Sequence, residues 1–214
     1  RAPVPVISVD MLAAGSVGNL PAVLAVIGQV QRLGFAPVVL ARGAVGPVRI
    51  DPRRHCAEEV GGAALLAADF APTWVAPDWA EGARVALAEG SADCLVMMGG
   101  LRDPALIKDL SIGVVDAVRG FGNGRCRPAG PLAEPLEAGL ARVHLMLTVG
   151  PHAAQAVCSA MARADFIASD GGRITTAGNG HGLGGRAGLG LCGGRRSGAF
   201  LCHVAGAWGR ACAL

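Results

Sequence analysis

Along the first 150 residues, short apolar runs alternate with amphipathic stretches. The runs "VPVISV" (4–9), "APVVLA" (36–41), "TWVA" (73–76), "DCLVMM" (93–98), "IGVVDA" (112–117) and "HLMLTVG" (144–150) have the length and continuity of buried strands. Apolar positions recur with helical spacing over 21–33, 57–68, 79–89 and 135–142. Pro21 suits a first helical turn, and Gly34 falls just past the last one. Strands alternating with helices predict βαβ units, hence an α/β fold whose mostly parallel sheet carries flanking helices.

Beyond about residue 160 the texture changes. "SDGGRITTAGNGHGLGGRAGLGLCGGRRSG" is dense in glycine and shows no helical or strand period, so a Gly-rich, irregular C-terminal tail is expected there. The expected division is a single α/β domain over 1–150 and a degenerate segment over 151–214.

Composition narrows the classes. With 52% hydrophobic residues and a mean hydropathy of +0.46, the chain is not of the disordered type. Gly, Pro or charge interrupts every apolar run before the roughly 18 residues of a membrane span. A net charge of +3 is too small to argue for nucleic acid. Seven scattered cysteines without a C-x-x-C pair suit reduced thiols. The ten-residue spacing of Cys192, Cys202 and Cys212 near His203 matches no zinc knuckle. No metal site is expected. His55, Glu58 and Glu59 read as a solvated helix start, and Trp74 and Trp79 as packing residues.

One stretch carries candidate chemistry. "LAAGSVGNLP" (12–21) lies between a strand and a helix, where a phosphate-binding G-x-x-x-x-G-K-[ST] loop would stand. Gly15 and Gly18 are in place, with Ser16 and Val17 between them. The lysine that neutralises phosphate and the hydroxyl that holds Mg²⁺ are replaced by Asn19 and Leu20. Taken alone, this is either an altered nucleotide loop or an ordinary glycine-rich turn. "GFGNGR" (120–125) superficially matches a dinucleotide glycine pattern, but it follows a late strand and opens no clear helix.

Further segments decide between these readings. "RAPVPVISV", "QRLGFAPVVLARG", "DPRRHCAEEVG", "PTWVAPDWAEGARVAL" and above all "VRGFGNGRCRPAGPLAEPL" resemble the tetraacyldisaccharide 4'-kinase family over about residues 1–150. The resemblance implies a P-loop NTPase-like fold and transfer of the ATP γ-phosphate, with Mg²⁺, to the 4'-hydroxyl of a lipid A disaccharide precursor. The implied location is the cytoplasmic face of the bacterial inner membrane. It further implies an altered nucleotide loop over Gly15, Ser16, Val17, Gly18, Asn19 and Leu20, and substrate contacts from Arg119, Asn123 and Arg125. A family helix facing the membrane is expected to be missing at the chain start.

Departures from the pattern fall on the chemical groups. Members carry "GNLTVGGTGKTP" where this chain has "DMLAAGSVGNLP", and "PLRE" where it has "PLAE" with Ala133. The acidic residue of "GDEP" becomes Gly62, and both aspartates of "DDG" become Met98 and Gly99. No catalytic group of the family is intact at these positions, so an impaired or decayed kinase is expected. A non-catalytic module that still binds nucleotide or lipid is the alternative. The codons of residues 195–203, read one base out of register, permit the family-like string G-D-P-E-R-F-F-A-T, and the flanking residues permit its continuation. The tail is therefore expected to be a frame-shifted remnant of a second domain, with the shift between about residues 150 and 186.

Overall fold

The structure, a computed structural model, describes residues 2–14, 19–90, 92–149, and the backbone of 166–170 and 173–177. Its elements follow in the order β1 (Val6–Met11), α1 (Leu20–Arg32), β2 (Pro37–Arg42), β3 (Val48–Arg49), α2 (Ala57–Val60), α3 (Gly62–Ala67) and β4 (Thr73–Ala76). They continue with α4 (Trp79–Ala88), β5 (Cys94–Met98), β6 (Leu110–Asp116), α5 (Leu136–Leu140), β7 (Leu145–Val149), β8 (Phe166–Asp170) and β9 (Arg173–Ala177).

The strands form one sheet in the order β3-β4-β2-β5-β1-β6-β7-β8-β9. Seven neighbours, β4 through β8, run parallel, and the short edge strands β3 and β9 are antiparallel. The doubly covered parallel sheet explains the unbroken apolar runs, since both faces of each inner strand are buried. On one face, Ala22, Val23, Val26, Ile27 and Val30 of α1 pack against Ile7, Val9, Val39 and Val96. On the other, Trp79, Ala83 and Ala86 of α4 meet Val38, Leu40, Leu95 and Met97.

The expected α/β class and its elements are present. Strand β1 runs two residues further than its apolar run, to Met11, because it pairs with β6 as far as Met11–Val114. The helical pattern over 57–68 is broken in two at Gly61, whose φ of +86° lies outside helical space. The expectation that no strand period exists beyond residue 160 is corrected by β8 and β9. Ile174, Thr175 and Thr176 are β-branched, and flanking glycines mask that short run. The rest of the expected tail, including Cys192, Cys202, His203 and Cys212, lies outside the described residues. No helix among the described residues is long and apolar enough to cross a membrane.

Helix α4 approaches the sheet through Gly82. A Cβ there would lie 2.7 Å from Ala76 Cβ and 2.8 Å from Leu40 Cδ1. Gly82→Ala, which elsewhere in a helix would stabilise, is expected to cost about 1–3 kcal/mol by overpacking, read as a lower urea midpoint. A second prediction concerns His144, whose Nδ1 accepts the Ser111 N–H at 2.9 Å and whose pKa is lowered by burial. The unfolded chain then takes up the proton more readily, so stability held above about pH 6.5 is lost as pH falls below it. Denaturation midpoints from pH 8 to 5 should fall more for wild type than for His144→Gln.

Candidate functional site

The parallel arrangement brings the segments after β1, β2, β5 and β6 to one edge of the sheet, the carboxyl edge, where α/β folds bind ligands. β1 lies between β5 and β6, so the residues that leave its end, 12–14, come between 99–109 and 117–135. Three backbone links tie β1 and the residues after it to these segments. Ala14 N–H donates to Pro131 O at 2.9 Å, and Ala13 forms a bridge with Leu132. Gly99 N–H donates to Val9 O at 2.8 Å.

Residues 15–18, and with them Gly15, Ser16, Val17 and Gly18, lie outside the described residues. Asn19 is the N-cap residue of α1 and makes no side-chain capping bond; its Nδ2 instead donates to Val9 O at 3.3 Å. Leu20 opens the helix half-buried and packs against the apolar cluster beneath α1. Neither side chain carries a charge.

Met98, the last residue of β5, packs against the same cluster and against a second one that holds Ala41, Ile50, Val60, Ala64 and Val75. Gly62 is the first residue of α3, and none of the three positions that the resemblance makes acidic, Gly62, Met98 and Gly99, holds a carboxylate. Gly62 is exposed, and a Cβ there would meet only Ala57 Cβ at 3.8 Å. Gly99 has φ +104° and Gly100 φ +79°. A Cβ on Gly100 would stand 2.7 Å from Met97 Cε and 3.1 Å from Trp79 Cε2, so only glycine fits there.

The 117–134 segment is closed on itself. Asp116 Oδ1 accepts the N–H groups of Val118 and Arg119 at 2.8 and 3.0 Å, and Phe121 anchors the segment at 2% exposure. Asn123 is engaged within the segment: its Nδ2 donates to Ala129 O at 2.8 Å and its Oδ1 accepts Arg125 N–H at 3.1 Å. It therefore shapes the turn that presents Arg119, Arg125 and Arg127, all exposed. A Cβ on Gly130 would be 2.2 Å from Asn123 Oδ1, which keeps that return strand tight.

Leu20, Met98 and Gly99 do not fit magnesium: that hard ion takes oxygen ligands, and their side chains supply none. Among the described residues no group of three or more His, Cys, Asp or Glu is placed to hold a metal ion. The one carboxylate at the tip of β1, Asp10, accepts Met11 N–H at 2.8 Å and Leu101 N–H at 3.0 Å. Sequence reasoning passed over Asp10, although the motif comparison puts it where members have glycine.

A parallel sheet with a glycine-bearing strand-to-helix segment at its carboxyl edge defines a P-loop NTPase-like α/β fold. Residues 1–183 match the family model described as LpxK, tetraacyldisaccharide-1-P 4'-kinase. The tetraacyldisaccharide 4'-kinase of Dinoroseobacter shibae is 52% identical over 160 residues, covering 73% of this chain and 47% of that one. The one from Jannaschia sp. is 46% identical over 159 residues, covering 72% and 48%. The crystal structure of "apo" form LpxK from Aquifex aeolicus in complex with ATP has the same fold. Its TM-score is 0.60 at 24% identity, covering 69% of this chain and 48% of that one. The chain belongs to the tetraacyldisaccharide 4'-kinase family, and it spans about half the length of the curated relatives it matches.

The two glycine sites make a contrasting pair. Gly62→Asp should leave stability within about 0.5 kcal/mol, as at an open surface position. Gly100→Ala should cost about 1–3 kcal/mol through overpacking against Met97 and Trp79. Urea denaturation of both variants checks this, and a large loss in Gly62→Asp would mean that the carboxylate is sterically barred from that place.

Proposed function

We propose that this chain is a decayed copy of the kinase: it keeps the scaffold and does not transfer the ATP γ-phosphate to the 4'-hydroxyl of the lipid A disaccharide precursor. The observation that carries this reading is the engagement of the replaced groups with the protein itself. Asn19 donates its amide to Val9 O, while Leu20 and Met98 pack into the apolar cluster beneath α1. Phosphoryl transfer relies on positioning and on charge stabilisation by cation and metal. Each lost stabiliser typically adds about 2.7–4 kcal/mol to the barrier. The P-loop lysine, the P-loop hydroxyl, the two β5 carboxylates and the acid at position 62 together exceed what a kinase absorbs, even when the losses are not additive.

ATP and Mg²⁺ belong to the family's reaction, and no step in this chain is assigned to them. The lipid partner is the same disaccharide precursor, met at the cytoplasmic face of the inner membrane, and no nucleic acid is involved. The second reading is a non-catalytic module that still holds the lipid or a nucleotide. Its support is the intact turn that presents Arg119, Arg125 and Arg127, three guanidinium groups suited to an anionic headgroup. The tail beyond about residue 186 is read as second-domain sequence out of frame. The in-frame family match ends at residue 183, close to where the shifted motif begins.

Purified chain, supplied with Mg–ATP and the tetraacyldisaccharide acceptor in mixed micelles, should show no labelled product above the enzyme-free control. Acceptor-dependent transfer would overturn the decay reading. Acceptor binding without transfer, abolished in the Arg119→Ala/Arg125→Ala double variant, would favour the binding module.

A further inference from the structure

Asn123 uses both ends of its amide inside the turn that follows β6. Its Nδ2 donates to Ala129 O at 2.8 Å, and its Oδ1 accepts Arg125 N–H at 3.1 Å. The returning limb runs close against that oxygen. A Cβ on Gly130 would stand 2.2 Å from Asn123 Oδ1 and 2.3 Å from Arg125 O, which leaves room for glycine alone. Leu132, 1% exposed, completes the hold. Its N–H donates to Arg125 O at 3.1 Å, and its carbonyl accepts Arg127 N–H at 2.9 Å. The peptide groups on both sides of Cys126 are thereby fixed.

That register decides where the arginines go. Cys126 packs against the buried cluster that holds Leu12, Phe121, Leu132 and Met146. Side chains alternate along a bridged backbone, so Arg125 and Arg127, one position to either side, leave by the opposite face. Both are exposed, and neither guanidinium has a partner among the described residues. On such a backbone their Cα atoms are about 6.5 Å apart, close enough for two guanidinium forks to grip one tetrahedral oxyanion. A pair held in place beforehand gives up less freedom on binding than a loose one.

We infer that Asn123 is a positioning residue: it sets Arg125 and Arg127 side by side as a pair for the phosphate monoester of a lipid headgroup and does not itself touch that ligand. The family's acceptor, by its description a disaccharide 1-phosphate, carries such a group. The inference rests on the binding reading given above for what the turn meets. It moves Asn123 from the contacts that the family resemblance implies to the frame behind them.

The test is binding of the full chain to mixed micelles carrying the tetraacyldisaccharide acceptor with its phosphate, and to micelles carrying the same lipid without it. Wild type should prefer the phosphorylated lipid at least about tenfold, the effect of hydrogen bonds to a charged group. Arg125→Ala/Arg127→Ala should abolish that preference. Asn123→Ala, which keeps both arginines, should reduce it at least about threefold, the effect of one lost intramolecular hydrogen bond. Gly130→Ala, which drives the amide off Arg125 without altering Asn123, should do the same. Either variant, folded by its melting curve and retaining the wild-type preference, overturns the inference. An equal loss of affinity for the two lipids, the mark of a general structural role, overturns it as well. A ligand-free arm separates the two readings: trypsin should cut after Arg125 at least about threefold faster in both variants, because the turn opens more readily. Unchanged cleavage in both also overturns the inference. Faster cleavage in chains whose wild type shows no preference for the phosphorylated lipid overturns the binding reading, and with it the assignment of the pair to a phosphate.

Discussion

The parallel pairing of β1 between β5 and β6 is the constraint on which the rest depends. Val9 stands opposite both Met98 and Ile112, so the ends of β5 and β1 meet at one level and the segments that follow them share one edge. The pairing is held by residues without catalytic chemistry: Val6, Val9, Leu95, Val96 and Met97, each 1% exposed or less. Complete burial of a large aliphatic side chain contributes about 1.5–3 kcal/mol relative to exposure. Substitutions at loop tips leave that contribution untouched, so the sheet does not depend on which residues stand there.

The side chains at these positions are engaged within the chain. Asn19 ties the start of α1 back to β1, Met98 fills the joint between α1 and α3, and Asp10 clasps the turn at Leu101. Hydrogen bonds to a charged group contribute about 1.5–3 kcal/mol each, so the clasp favours a closed edge. Among the described residues, the N–H groups of Met11, Ala14, Gly99 and Leu101 are bonded within the chain. The arginine-bearing turn after β6 is different, because its internal bonds run through Asn123 and Asp116 and leave its outer face exposed.

Much of this was legible in the sequence for a physical reason. Buried parallel strands read as continuous apolar runs, and α1 and α4 show a clear helical stripe. The hydrophobic pattern alone therefore places β1, β2, β4 to β7 and both long helices. It does not place the break at Gly61, because the apolar spacing continues across the Gly61–Gly62 pair, although that pair is itself a turn signal. β8 and β9 were hidden by the glycines around them. At the site, the missing lysine and carboxylates were visible as letters. The Asp10–Leu101 bond spans 91 positions and depends on strand order, and the inward engagement of Asn123 depends on the return of the chain at Gly130. Neither leaves a local signal.

The central claim is that the residues at a few loop positions, and not the scaffold, separate this chain from a working kinase. It is tested most directly by moving them into a full-length family member that carries the G-K-T loop and the DDG motif. That protein would receive asparagine and leucine in place of the lysine and threonine, and methionine and glycine in place of the two aspartates. The account predicts a folded protein with an unchanged melting temperature and a turnover number reduced by at least about 10⁴-fold, as expected when several charge-stabilising groups are lost together. A variant that retains a tenth or more of the parent's turnover would contradict it.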